Sequence, residues 1–114
     1  MAQLIRTDTA IVFKLSLTER IVAFHFRPVE VSLQHVRSVV VAEDIWTKVR
    51  GIRPPFTWLK DHFAIGTRRG LFGKDFTAVY GLRPGVVVEF EGGEWARFAA
   101  TVDYPDDIAH LLRG

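Results

Sequence analysis

The chain of 114 residues contains no cysteine. That absence excludes disulfides, thiolate metal sites and cysteine nucleophiles, and it fits a reducing compartment. Long apolar runs are missing too: nothing approaches the roughly 18 consecutive apolar residues of a membrane-spanning helix. The opening MAQLIRTDTAIVF carries Arg6 and Asp8 ahead of any apolar stretch, which is not the pattern of a secretory signal. The expectation is a soluble, cytoplasmic protein. Internal repeats and low-complexity tracts are also lacking.

Signatures of catalysis are equally scarce. The four histidines, His25, His35, His62 and His110, fall at no i, i+4 spacing, so metal binding has no local pattern. Ser16 reads as a helix cap, and Ser32 and Ser38 lie in or beside strands without a nucleophile elbow. The stretch GTRRGLFGKDF (66–76) ends in Gly73-Lys74, as a phosphate-binding loop does. The required first glycine is Arg68, however, and the hydroxyl position is Asp75. Flanked by alternating segments, it reads as a hairpin whose glycines supply the turn. No enzymatic activity, metal or cofactor is expected.

What is present is a globular composition, 48% apolar and 25% charged, in a length that suits one domain over 1–114. Such a domain can bury a core without metal or disulfide support. Charge is unevenly distributed. From Lys48 to Lys74 seven basic residues face one acid, Asp61, and from Glu89 to Asp107 six acids face Arg97 alone. This polarity can steer an anionic partner or be neutralised within the fold.

Period-two patterning dominates. AIVFKL reads as a first strand, followed by a short helix near Leu17–His25 that opens on a Ser16/Glu19 capping box and ends before Pro28. VEVS and RSVVVAE are second and third strands around a turn at LQHV. HFAIGTRR and KDFTAVY form a hairpin around GLFG, and VVVEFE and WARFAATV a second one around GG. In the latter, Val86, Val88 and Phe90 should face one side and Glu89 and Glu91 the other, and Arg97 should be solvated, pairing with Glu89 across the strands. Phe76, Ala78 and Tyr80 should share a core face. YPDDIAHLLRG predicts a final helix with Pro105 in its first turn, two acids at its N-terminus, and a buried stripe of Ile108, Leu111 and Leu112.

The segments VEVSLQHVRSVVV, VRGIRPP, AIGTRRG, GKDFTAVYGLRPGVVVEFEG and RFAATVDYP resemble a group of small actinobacterial proteins with pleckstrin-homology-like (PH-like) folds. The resemblance covers most of the chain from Val29 to Pro105. It implies a mainly β fold: a seven-stranded, antiparallel, strongly bent barrel capped by a C-terminal helix, with a short helix between the first two strands. It implies no activity. This chain has FTWLKD after GIRPP, where the family has a small, glycine-rich stretch. Phosphoinositide-binding members hold phosphates with basic residues after the first strand. Here that connection is SLTERIVAF, with Arg20 its only cation.

The long segment from Asp44 to Asp61 interleaves Trp46, Phe56 and Trp58 with Lys48, Arg50, Arg53 and Lys60. Aromatics among cations can anchor a protein partner, stack bases beside phosphates, or simply cover the end of a barrel. With Arg68, Arg69 and Lys74 at the hairpin tip, these residues form the expected docking surface. The leading expectation is a non-enzymatic binding or scaffold domain engaging a protein, with self-association as its simplest form. The alternatives are anion recognition, of nucleic acid or acidic lipid headgroups, through 48–74, and a small-molecule pocket under the tryptophan loop.

Overall fold

In the computed structural model the alternating runs become nine strands and one α-helix among the described residues. The structure describes residues 3–14, 16, 29–50, 58–59 (backbone), 63–81 and 83–113, apart from the Thr47 side chain. The helix expected near Leu17–His25 lies outside these residues.

The described strands form two sheets. In the first, β1 (Gln3–Arg6), β2 (Ala10–Lys14) and β3 (Val29–Ser32) form an antiparallel meander. The second contains β4 (Val36–Ala42), β5 (Trp58–Leu59), β6 (Phe63–Gly70), β7 (Gly73–Tyr80), β8 (Gly85–Phe90) and β9 (Arg97–Thr101). Its spatial order is β4-β8-β9-β7-β6-β5. A short 3-10 turn at Leu33–His35 connects the sheets, and another at Ile45–Lys48 follows β4.

Three expectations need correction. The strands do not close into one antiparallel barrel: they form two sheets, and β9 pairs parallel with β7, Asp75 opposite Arg97 and Ala78 opposite Ala100. Alternation along a strand states which face is buried but not which strand lies alongside. β9 has small or buried residues on both faces, with Phe98 and Ala100 on one and Ala99 and Thr101 on the other, all fully buried. A strand with no wet face suits the middle of a sheet. The number of strands also exceeds seven, because β1 and β5 carry no clear alternation. The third correction concerns the terminal helix.

That helix, α1 (Pro105–Arg113), starts where expected. Tyr104, at φ 55°, sends its carbonyl to the Ile108 amide at 3.1 Å, and Pro105 occupies the first turn, where an N–H would lack a partner. Ala109 and Leu112 are the buried line, while Leu111 points outward, 64% exposed. At 3.6 residues per turn, Leu111 lies about 200° around the axis from Ala109, so both cannot face the same core. α1 packs on β4, β1 and β8 and so spans both sheets.

The principal core lies between the sheets and beneath α1. Phe13 of β2 meets Phe76 of β7 and Phe98 of β9 edge-to-face, with centroids 5.0 and 5.2 Å apart. Val86, Val88 and Phe90 line the same core, as do Phe76 and Ala78, with half-buried Tyr80 packed beside them. The other face of the six-stranded sheet holds a smaller cluster of Ala42, Ile45, Ala64, Val79, Val87 and Ala99.

The β7–β8 connection must step across the end of β9. The Thr101 hydroxyl ties that end to β7, accepting from the Tyr80 amide at 2.9 Å. Gly85 then begins β8 so close to β9 that a Cβ would stand 2.1 Å from the Ala100 carbonyl oxygen. Gly85→Ala therefore forces two central strands apart and is expected to cost about 3 kcal/mol, the upper range for overpacking. Gly81→Ala, at φ 54° with open space around it, should cost only about 1–2 kcal/mol of backbone strain. Urea midpoints at constant m-value compare the two, and a Gly85→Ala variant no weaker than Gly81→Ala would contradict the close-approach argument.

Candidate functional site

The stretch 66–76 is a hairpin: Gly70 faces Gly73, Arg69 faces Lys74 and Arg68 faces Asp75. Gly73, at φ 110°, provides the left-handed backbone that the turn requires. Residues opposite one another in a ladder project from the same face. The register therefore carries a row of charge across the outer face of the large sheet. Arg68 on β6 is opposite Asp75 on β7, Asp75 is opposite Arg97 on β9, and Arg97 is opposite Glu89 on β8. The signs alternate from one strand to the next.

This ladder is not a solvated surface. Asp75 is fully buried, and the Arg97 side chain is only 13% exposed. Arg50, arriving after the 3-10 turn at Ile45–Lys48, grips Asp75 with two hydrogen bonds, Nε to Oδ2 at 2.7 Å and Nη2 to Oδ1 at 3.2 Å. Its guanidinium also lies 3.8 Å above the Phe72 ring at the hairpin tip. Arg97 donates from Nη1 to the Lys48 carbonyl at 3.1 Å and lies 3.7 Å from Glu89. The Arg97–Glu89 pair was legible in the sequence, but solvation of Arg97 was not correct: the backbone after β4 covers it.

Burial pushes the Asp75 carboxyl above its ordinary value, against the opposing pull of the Arg50 hydrogen bond and the charges of Arg50 and Arg97. Loss of solvation is the largest influence, so this carboxylate is costly to bury and depends on its arginines.

The expected surface residues divide accordingly. Trp46 is half-buried, donates from its indole to the Gly81 carbonyl at 2.6 Å, and packs with Val49 over the smaller apolar cluster. Lys48 and Arg69 are exposed. Arg50 is committed to Asp75, Arg68 is buried in the ladder, and Lys74 pairs with Glu94 while lying 4.7 Å over the Trp95 ring. Trp58 contributes its backbone to β5 opposite Ala64. Its side chain lies outside the described residues, as do Arg53, Phe56 and Lys60. Three of the five described cations are thus engaged inside the protein.

Leu71 protrudes fully from the hairpin tip beside Arg69, with Phe72 half-buried beneath Arg50. Among the described residues no cluster of three or more histidines and carboxylates could hold a metal. His35 places Nδ1 3.0 Å from the Glu91 carbonyl, His110 is exposed on α1, and His25 and His62 are outside the described residues. No described helix is long and apolar enough to cross a membrane.

Sequence reasoning missed Asp75, the centre of this arrangement. A signal was available within the hairpin, where counting outward from GLFG sets Arg68 against Asp75. The parallel neighbour that extends the row was not available.

The fold and site together define a mainly β domain with one sheet face closed by a buried ionic row. Comparison with protein-family models, curated proteins and solved structures finds no match for the chain.

Proposed function

We propose that the protein is a non-enzymatic binding domain that engages a protein partner, a second copy of the chain being the simplest, through the hairpin tip and the adjoining 44–61 segment. The observation that carries this reading is Arg50. By holding Asp75 and lying over Phe72, it fastens residues 45–50 to the hairpin, so that these two parts make one surface. On that surface Leu71 is fully exposed beside Arg69. An exposed apolar side chain beside an arginine, a residue type enriched at interface hot spots, fits a protein interface better than a phosphate track. Anion recognition has weaker support, because Arg50, Arg68 and Lys74 are occupied internally. The kinship with small PH-like proteins belongs to the same proposal. It rests on the resemblance of the sequence segments alone, and the parallel β7–β9 pair departs from the antiparallel barrel that the resemblance implies.

Light scattering over a rising concentration series tests the reading. The wild-type chain is expected to associate, and Leu71→Asp to weaken association at least about tenfold, the equivalent of about 1.4 kcal/mol. Leu71 is fully exposed, so unfolding midpoints should coincide. A wild-type chain that remains monomeric at every concentration, or a Leu71→Asp chain that associates unchanged, would overturn it.

A further inference from the structure

A second surface, sharing no residue with the hairpin tip, lies where β1 packs along α1. A cleft of about 450 Å³ is lined by the consecutive residues Leu4 to Asp8 on one side and by Leu111 and Leu112 on the other. It adjoins a smaller cleft of about 290 Å³ that shares Arg6 and Leu112 and adds Arg37 and Arg113.

Among the described residues the wall formed by β1 is a sheet edge, and the turn into β2 sets its hydrogen-bonding phase. The Thr7 amide donates to the Ala10 carbonyl at 2.8 Å, making Thr7 and Ala10 a bonded pair. In an antiparallel ladder, bonded and non-bonded pairs alternate. Arg6 opposite Ile11 is then non-bonded, Ile5 opposite Val12 is bonded, and Leu4 opposite Phe13 is non-bonded. The next pairing agrees, since the Leu33 amide donates to the Thr9 carbonyl at 2.9 Å, putting Ile11 in phase to bond with Val31 of β3. The N–H and C=O groups of Leu4 and Arg6 therefore point away from β2. Among the described residues, no backbone partner meets them.

A helix cannot satisfy those groups, because its own backbone bonds run along its axis. An extended chain can. The two clefts are lined by Arg6, Arg37 and Arg113 against one acid, Asp8; Arg113 donates to the Val39 carbonyl from Nε and Nη2, which leaves Arg6 and Arg37 to face a ligand. Leu111, 64% exposed, offers an apolar rim. We infer that the β1–α1 cleft is a strand-addition groove that accepts an extended peptide carrying acidic residues. The peptide pairs with the outward groups of Leu4 and Arg6, seats an apolar side chain on Leu111, and directs a carboxylate toward Arg6 and Arg37. This groove is separate from the hairpin-tip surface and does not depend on it.

A fluorescein-labelled peptide of about six residues alternating valine with glutamate, and its lysine counterpart, serve as probes. Anisotropy is expected to give saturable binding of the glutamate peptide below about 1 mM and at least about tenfold weaker binding of the lysine peptide. Arg6→Ala should weaken glutamate-peptide binding about tenfold by removing the cation. Arg6→Pro also deletes an N–H that β2 does not use, a substitution an edge strand tolerates, and should weaken binding by about a further tenfold. Hydrogen exchange on the wild-type chain is a readout independent of any variant: the Leu4 and Arg6 amides should become protected when peptide binds, whereas Ile5 is protected throughout. Equal affinity for both peptides, no binding, or unchanged exchange at Leu4 and Arg6 would overturn the inference. So would protection of those amides by self-association in place of peptide. Leu71→Asp should bind the peptide as the wild type does, which keeps the two surfaces experimentally distinct.

Discussion

Asp75→Ala should lower unfolding stability by about 3–5 kcal/mol, the cost of breaking a buried ion pair by removing one partner. The carboxylate is fully buried and accepts two hydrogen bonds from Arg50. Its removal also takes away the carboxylate opposite Arg97 on β9, leaving Glu89 at 3.7 Å as that arginine's acidic neighbour. Against the roughly 5–15 kcal/mol that holds a domain folded, this is a large fraction. The loss should be larger than for Lys74→Ala, whose partner Glu94 is exposed and contributes about 1 kcal/mol or less. Urea denaturation compares the two, and equal losses would mean that the ladder behaves as an ordinary surface pair.

The pH dependence follows from the direction of the Asp75 shift. Burial places its folded-state value above the ordinary 3.8. Between the two values the native chain holds a proton that the unfolded chain has released. The slope of stability with pH is therefore negative for this group. Its contribution is complete below the unfolded value and declines as pH rises through the raised one. Asp75→Asn stays neutral at all pH, so its deficit relative to wild type should shrink as pH climbs through that window. A deficit that grows instead would show that Arg50 and Arg97 outweigh burial.

Phe13→Ala is expected to cost about 3–5 kcal/mol, and to fall toward the upper end of that range. Phe13 is the aromatic of β2 that touches both Phe76 and Phe98, on two adjacent strands of the opposite sheet. Truncation removes buried area and two edge-to-face contacts, and it opens a cavity at the junction of the sheets. Neither sheet can slide inward to fill it, because α1 spans both. Phe13→Leu, which keeps most of the volume, should cost about 1.5 kcal/mol or less. Unfolding midpoints and near-ultraviolet circular dichroism report both effects. A cost for Phe13→Ala below about 2 kcal/mol would show that the two sheets are not held together there.

Much of the fold was legible because its signals are local. KDFTAVY and VVVEFE alternate, so the buried faces of β7 and β8 could be assigned from the chain alone. GLFG marks its hairpin, and PDD at 105–107 marks the start of α1 through ring geometry and dipole. The helix stripe was misjudged at Leu111 for want of a partner: three apolar side chains were visible, but only β4, β1 and β8 determine which of them meet a core. Trp46 could be read either as an exposed anchor or as a cover. The position of the Gly81 carbonyl, 35 residues away in sequence, makes it a cover of the apolar cluster.

The candidate site shows the same division. Arg50, Arg68 and Lys74 were recognisable as cations near a hairpin, and counting from GLFG sets Arg68 against Asp75, but the grip of Arg50 on that acid was not legible, since an acid 25 residues away is no more evident than any other. The sequence by itself determined the strand faces, the hairpins, the start of the terminal helix and the uneven spread of charge, all set by neighbouring residues and backbone geometry. Only the tertiary structure decided that β9 lies parallel beside β7 and that Asp75 is enclosed among arginines. Strand order is chosen by the packing of whole faces, where residues distant along the chain compete for the same neighbour, and no period in the sequence records the outcome.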